Sequence, residues 1–160
     1  MNILFVCTGN TCRSSMAEGV FKHLLQENSI KNIAVSSAGI SAFDGDVANK
    51  NAISVLNNRG IDISSHSARQ IDDAILNTSD LILTMTDSHK RILSKYAPEF
   101  LNKIFTLREF AYKISDEISD GINLDIDDPY GMDYNVYEMC MDEIETELKK
   151  IIKNVDKLNF

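Results

Sequence analysis

A cysteine, five residues, an arginine and a hydroxyl stand together near the start of this 160-residue chain: Cys7-Thr8-Gly9-Asn10-Thr11-Cys12-Arg13-Ser14. The set suits capture of an oxyanion. Phosphate needs several donors converging on one point. Successive main-chain N–H groups in a tight curl supply them, and the positive end of a following helix adds to them. Gly9 and Asn10 tolerate the left-handed angles such a curl requires. Arg13 presents a planar fork that grips two phosphate oxygens at once. The same donors act on Cys7. A thiol with an ordinary pKa of about 8.5 is drawn toward thiolate at neutral pH when amides, a helix end and a guanidinium face it. A thiolate is a strong nucleophile and attacks phosphorus in line. Ser14 is placed to donate to the Cys7 sulfur and help it leave afterwards. The alternative for these residues is a buried strand-end cysteine and a surface arginine.

Such a reaction also needs a proton for the leaving group, and a carboxylic acid on a mobile loop is the usual source. Asp127-Asp128-Pro129-Tyr130 lies in a polar stretch near the end of the chain. Pro129 fixes its own backbone and keeps Asp128 out of helical geometry. On its own, an Asp-Pro pair reads equally as a plain turn.

These residues must be positioned by the elements around them. Residues 2–6 are apolar and rich in β-branched and aromatic types, which predicts a buried strand ending at the cysteine. From Ser14, the spacing of Met16, Val20, Phe21, Leu24 and Leu25 gives one apolar helical face. Further strands are predicted over 33–36, 81–85 and 104–106. Further helices are predicted over 48–59, closed by Gly60, over 72–77, over 87–96 before Pro98, and over 136–155. In the last helix, Val136, Met139, Ile144, Leu148 and Ile151 suggest the packing face, with Cys140 beside them. Residues 113–132 read as a loop. Strand and helix alternate, so the fold class is α/β: a four-stranded parallel sheet covered by helices on both faces. No repeat or linker divides the chain, and residues 1–160 read as one domain. Ligands of such sheets bind at the carboxyl ends of strands, which directs attention to the loop after the first.

Composition sets outer bounds. The hydrophobic fraction is 44% and the charged fraction 25%, both ordinary for a globular protein. The net charge of −8, without basic runs, argues against nucleic acid or an acidic membrane as partner. An anion site in such a chain must be a local device of aligned amides and one guanidinium, because the overall field repels anions. No apolar run approaches the roughly 18 residues of a membrane span, and the first six residues lack the form of a signal segment. The expected location is the cytoplasm. Three cysteines, Cys7, Cys12 and Cys140, suit neither a disulfide framework nor a zinc site. No metal or organic cofactor is expected.

The run Val6-Cys7-Thr8-Gly9-Asn10-Thr11-Cys12-Arg13-Ser14-Ser15-Met16-Ala17-Glu18 resembles the signature of low-molecular-weight protein tyrosine phosphatases, and more narrowly their bacterial protein arginine phosphatase branch. Ser36-Ser37-Ala38-Gly39, Ser65-His66-Ser67-Ala68-Arg69 and Asp128-Pro129-Tyr130-Gly131 agree, in the family's order, across nearly the whole chain. The resemblance implies a three-layer, flavodoxin-like sandwich and catalysis through a phosphocysteine. It implies Cys7 as nucleophile, Arg13 as phosphate clamp, and Asp128 as the acid that later activates water. It further implies that Thr8 to Ser14 bind phosphate, that Asn10, Ser14, Ser37 and His66 hold the loop's shape, and that Tyr130 walls the substrate. His23 and His89 are expected at the surface. Two departures stand out: Ser15 replaces a common proline, and only one aromatic follows the Asp-Pro pair.

Thr11 bears on the substrate. Tyrosine-directed relatives tend to carry a larger aliphatic residue there, whereas arginine phosphatases resemble this chain in having threonine. A phosphoguanidinium is planar and rich in donors, so it wants acceptors such as the Thr11 hydroxyl and the Asp128 carboxylate. A phenyl ring wants apolar walls on both faces. Phosphoarginine on proteins is the expected substrate, with phosphotyrosine the alternative. A thioredoxin-coupled arsenate reductase shares a very similar loop but needs two further cysteines after strand three, and 84–98 has none. A non-catalytic phosphoprotein-binding module is the remaining alternative. Cys12 either forms a protective disulfide with Cys7 on oxidation or fills space behind the loop. A monomer is expected, a weak dimer being the alternative.

Overall fold

The apolar run after Met1 becomes a central strand, β1 (Asn2–Cys7), and the turn-forming residues after it lead into α1 (Arg13–Glu27). The remaining elements are β2 (Ala34–Gly39), α2 (Lys50–Asn57), α3 (Asp73–Thr78), β3 (Leu81–Thr84), α4 (Asp87–Tyr96), β4 (Ile104–Thr106), α5 (Leu107–Ile114) and α6 (Tyr134–Lys153). Short 3₁₀ turns cover Pro98–Lys103 and Val155–Lys157. This is a computed structural model, and it describes residues 1–118 and 120–158.

The strands form one parallel sheet in the order β2-β1-β3-β4. Successive side chains of β1 point to opposite faces. Ile3, Phe5 and Cys7 pack into a core shared with α1, α2, α5 and α6. Leu4 and Val6 pack into a second core with Leu76 of α3 and Leu93 of α4. That two-sided burial explains why β1 reads as a continuous apolar run. The α1 face expected from spacing is present: Met16, Val20, Phe21, Leu24 and Leu25 are all buried, and Phe21 meets Phe5 edge-on at 5.8 Å. Gly60 closes α2 in the left-handed region, with φ of 75°.

Three expectations need correction. In α6 the packing face is set by Tyr137, Cys140, Met141, Ile144, Leu148 and Ile151, whereas Val136 and Met139 lie on the exposed side. Residues 107–114 form α5, so the loop begins later than residue 113. Thr106 ends β4 and also caps α5, accepting from the Glu109 N–H while the Glu109 carboxylate accepts from the Thr106 N–H. His89 is buried, not at the surface.

The order β2-β1-β3 puts the chain's reversal between β1 and β3. Ligand sites of open α/β sheets lie at such a switch point, beyond the strands' carboxyl ends. The loops after β1 and β3 therefore meet there.

Candidate active site

Residues 8–12 curl between the end of β1 and the start of α1. Asn10 makes the curl possible, with φ of 57°, a region asparagine enters at less cost than most residues. Most of the carbonyls around the loop are taken up by hydrogen bonds to residues outside it. Cys7 O accepts from Ile40 N, Thr8 O from Ser41 N, Thr11 O from Asn49 N and Cys12 O from Met16 N, at 2.8–3.0 Å. His66 Nε2 donates to Asn10 O at 2.7 Å. By contrast, the N–H groups of Thr8, Gly9, Thr11 and Cys12 have no hydrogen-bond partner among the described residues. Engaged carbonyls and free amides are the arrangement of an anion cradle at a helix N-terminus.

Asn10 is fully buried and fully satisfied. Its Nδ2 donates to Ser14 Oγ at 2.9 Å and Ser37 Oγ at 2.8 Å, and its Oδ1 accepts from Arg69 N at 3.0 Å. The Ser37 hydroxyl donates to the Glu18 carboxylate at 2.5 Å, and Arg69 Nε donates to Ser37 O. With Ser14 Oγ accepting from Asn10, its own proton faces Cys7 Sγ, 2.9 Å away. The Asn10 N–H donates to the same sulfur at 3.3 Å. Two donors thus converge on the Cys7 sulfur.

The Arg13 side chain is 4% exposed. Nη2 donates to Asp128 Oδ2 at 2.8 Å and Nη1 to Ile126 O at 3.0 Å. Nε is buried without a hydrogen-bond partner among the described residues, an uncommon state for a charged donor and one that an incoming oxyanion would relieve. Asp128 Oδ1 accepts from Tyr130 N across Pro129, a local turn that orients the carboxylate.

Cys7, Arg13, Thr8, Gly9, Thr11, Cys12, Asp128 and Tyr130 line one cavity of about 260 Å³, together with Ser41, Phe43 and Asp46. Its size suits one phosphorylated side chain. A larger cleft of about 630 Å³, lined by Glu18, Lys22, His66, Arg69 and others, does not reach Cys7 or Arg13. Ser14, Ser37 and His66 thus support the loop from behind rather than line its cavity. Cys12 Sγ lies 3.2 Å from the Tyr137 hydroxyl, and burial pushes its thiol up. Ser15 tolerates the missing proline by donating its hydroxyl back to Cys12 O at 2.8 Å.

A family model described as low molecular weight phosphotyrosine protein phosphatase matches residues 2–159. The chain belongs to that family. The protein-arginine-phosphatase of Bacillus subtilis (strain 168) is 34% identical over 157 residues, covering 98% of each chain. PtpB of Staphylococcus epidermidis (strain RP62A), a low molecular weight protein-tyrosine-phosphatase, is 35% identical over 162 residues, covering 100% of this chain and 98% of its own. A solved structure of the YwlE arginine phosphatase, a mutant with a phosphorylated active site serine, has a TM-score of 0.89 at 33% identity, covering 99% of this chain and 98% of that one.

Several residues of this low molecular weight phosphatase site escape a reading by sequence. Gly39 ends β2 directly beneath the loop: a Cβ there would lie 2.5 Å from Thr8 O and 3.0 Å from Asn10 N. Phe43 and Asp46 reach the cavity from a loop whose polar spacing carries no signal. His89 is the clearest miss. Its Nε2 contacts Thr8 Oγ1 and its Nδ1 contacts Thr86 Oγ1, both at 2.9 Å. Burial, reinforced by the Arg13 charge, pushes the imidazole down to about 4. The stripe 89-93-97 carried the signal, because Leu93 and Ala97 are both buried.

Proposed function

We propose that this phosphatase removes phosphate from phosphoarginine in proteins through a phosphocysteine. Cys7 Sγ attacks phosphorus while the loop amides and Arg13 hold the phosphoryl oxygens. The phosphate takes up Arg13 Nε and competes with Asp128 for the guanidinium, which turns the carboxyl toward the leaving atom. The P–N bond breaks, the S–P bond forms, and Asp128 delivers a proton to the departing guanidino nitrogen. Water then attacks phosphorus and gives its proton to Asp128. The S–P bond breaks and inorganic phosphate leaves.

The observation that carries the substrate is the set of acceptors in the cavity wall: the Thr11 hydroxyl, the Asp46 carboxylate and the carbonyl oxygen of the Asp128 carboxyl. A planar, donor-rich, cationic group is served by such a set, and a phenyl ring is not. The phosphotyrosine reading has its own support, because exposed Phe43 joins Tyr130 as a second aromatic in the wall. Aromatic faces also accept a guanidinium, so they serve both substrates, whereas the acceptors serve one. The reductase reading has a relative on its side, an arsenate reductase of Bacillus cereus (strain G9842) that is 32% identical over 148 residues, but it lacks a thiol relay: 84–98 holds no cysteine, Cys140 is buried in α6, and burial pushes its thiol up to about 12.

The test compares kcat/KM on a phosphoarginine and a phosphotyrosine peptide of matched sequence. Phosphoarginine is expected to be preferred, and Thr11→Ile is expected to shift the ratio toward phosphotyrosine by about tenfold, the worth of one lost hydrogen bond. A wild-type preference for phosphotyrosine ends the proposal.

A further inference from the structure

Asp128 is carried on a loop, and its usefulness depends on where that loop is held. Three of the loop's tethers sit at residues 125 and 126. Asp125 Oδ1 accepts from Asp87 N at 2.7 Å, Ile126 N donates to Met85 O at 2.8 Å, and Ile126 O accepts from Arg13. Cys140 Sγ lies 3.7 Å from Asp127 O, and a further tether comes from another side chain outside the cavity. Arg108 of α5 donates through Nη1 to Asn123 O at 2.7 Å and Asp125 O at 3.2 Å. Its Nη2 donates to Glu143 at 2.9 Å, and its Nε lies 3.2 Å from Glu147 Oε1. Glu143 and Glu147 are one turn apart on α6.

One guanidinium therefore ties three segments together: the helix before the loop, the loop's backbone, and the helix after it. The Arg108 side chain is only 13% exposed and the Glu147 side chain 7%, so the ion pair is not an interchangeable surface contact. Its planar fork fits two carbonyls and a carboxylate at once; an ammonium matches the charge but not that geometry.

We propose that Arg108 is a positioning residue for the general acid: it fixes the register in which the segment 123–128 crosses the site, and hence the distance from Asp128 to the leaving atom. This inference rests on Asp128 acting as the acid. It separates from a general structural role because an acid matters in proportion to the basicity of the leaving group. An activated aryl phosphate departs almost unaided, whereas phenolate or a guanidino nitrogen needs the proton.

The experiment measures kcat/KM for p-nitrophenyl phosphate and phenyl phosphate in wild type, Asp128→Ala, Arg108→Ala, Arg108→Lys and the double variant Asp128→Ala with Arg108→Ala. Arg108→Lys keeps a charge beside Glu147, so it guards against simple misfolding. Both Arg108 variants are expected to lose about tenfold or more on phenyl phosphate and less than about threefold on p-nitrophenyl phosphate, part of the span open to a general acid. Inhibition by inorganic phosphate should be unchanged, because the cradle is untouched. In the Asp128→Ala background, removing Arg108 should cost nothing further. Equal losses on both substrates, or a full further loss in the double variant, would overturn the role of Arg108 alone. If Asp128→Ala itself shows no dependence on the leaving group, the acid assignment fails and the inference falls with it.

Discussion

At the scale of single residues, chemistry follows from which polar atoms are left without protein partners. The loop amides and Arg13 Nε are unsatisfied among the described residues, while Asn10 beneath them uses every donor and acceptor it has. Rigid support and open donors are two halves of one device: the support fixes the curl, and the curl aims the donors. The three thiols are sorted by the same logic. All three are buried, and Cys7 and Cys12 both line the cavity, but the Ser14 hydroxyl and the Asn10 N–H converge on Cys7, whereas burial pushes the Cys12 and Cys140 thiols up. Alkylation by iodoacetamide at neutral pH, followed by peptide mass spectrometry, is expected to modify Cys7 first and to be slowed by inorganic phosphate. Ser14→Ala, which removes one donor from the sulfur, should slow that alkylation by roughly three- to tenfold. Modification of Cys12 ahead of Cys7 would contradict the assignment. The spacing of Cys7, Arg13 and Ser14 was legible because each residue type has one obvious use in such a loop. Phe43 and Asp46 were not, because their place in the cavity is set by how the segment after β2 folds back, which no local pattern records.

At the scale of elements, boundaries were legible where Gly, Pro or a change of period marks them, and obscure where one residue serves two elements. The segment β4–α5 shows this. Leu107, Phe110, Ala111 and Ile114 are all buried at helical spacing, yet Thr106 ends the strand and caps the helix with no punctuating residue between. The consequence reaches the site, since α5 carries Arg108. Strand β2 offers a sharper dependence. It delivers Gly39 to a place where main chain lies too close for any side chain. Gly39→Ala must therefore push the loop backbone at Thr8 and Asn10, an overpacking cost on the order of 1–3 kcal/mol. Urea unfolding should register that cost, and the inhibition constant for inorganic phosphate should rise as the amides lose their common focus. A variant as stable as wild type with unchanged phosphate inhibition would show that β2 does not set the cradle's shape.

At the scale of the whole molecule, a chain of net charge −8 places the proposed anion site where the sheet's topology reverses, so that loops from β1 and β3 meet over buried core. The alternation of strands and helices made the parallel sheet legible, but not the strand order, which decides which loops touch. His89 is the meeting point: it stands on α4 after β3 and reaches Thr8 in the loop after β1. Its environment includes Arg13 together with Asp125 and Asp128; burial and Arg13 oppose protonation, the two carboxylates favour it, and the balance holds the imidazole down to about 4 from an ordinary 6.5. The sign follows directly. Between pH 6.5 and 4 the unfolded chain takes up a proton that the folded protein refuses, so stability present above pH 6.5 is lost as the pH falls. The loss is on the order of 3 kcal/mol when complete. Carboxylates add slopes of their own at lower pH, so the informative quantity is the difference between wild type and His89→Gln, which cannot take the proton. Urea unfolding at pH 7 and at about pH 4.5 should show wild type losing at least about 2 kcal/mol more than the variant. Equal losses would mean that His89 is protonated in the folded protein, and that the two loops are joined by a charged contact rather than a neutral one.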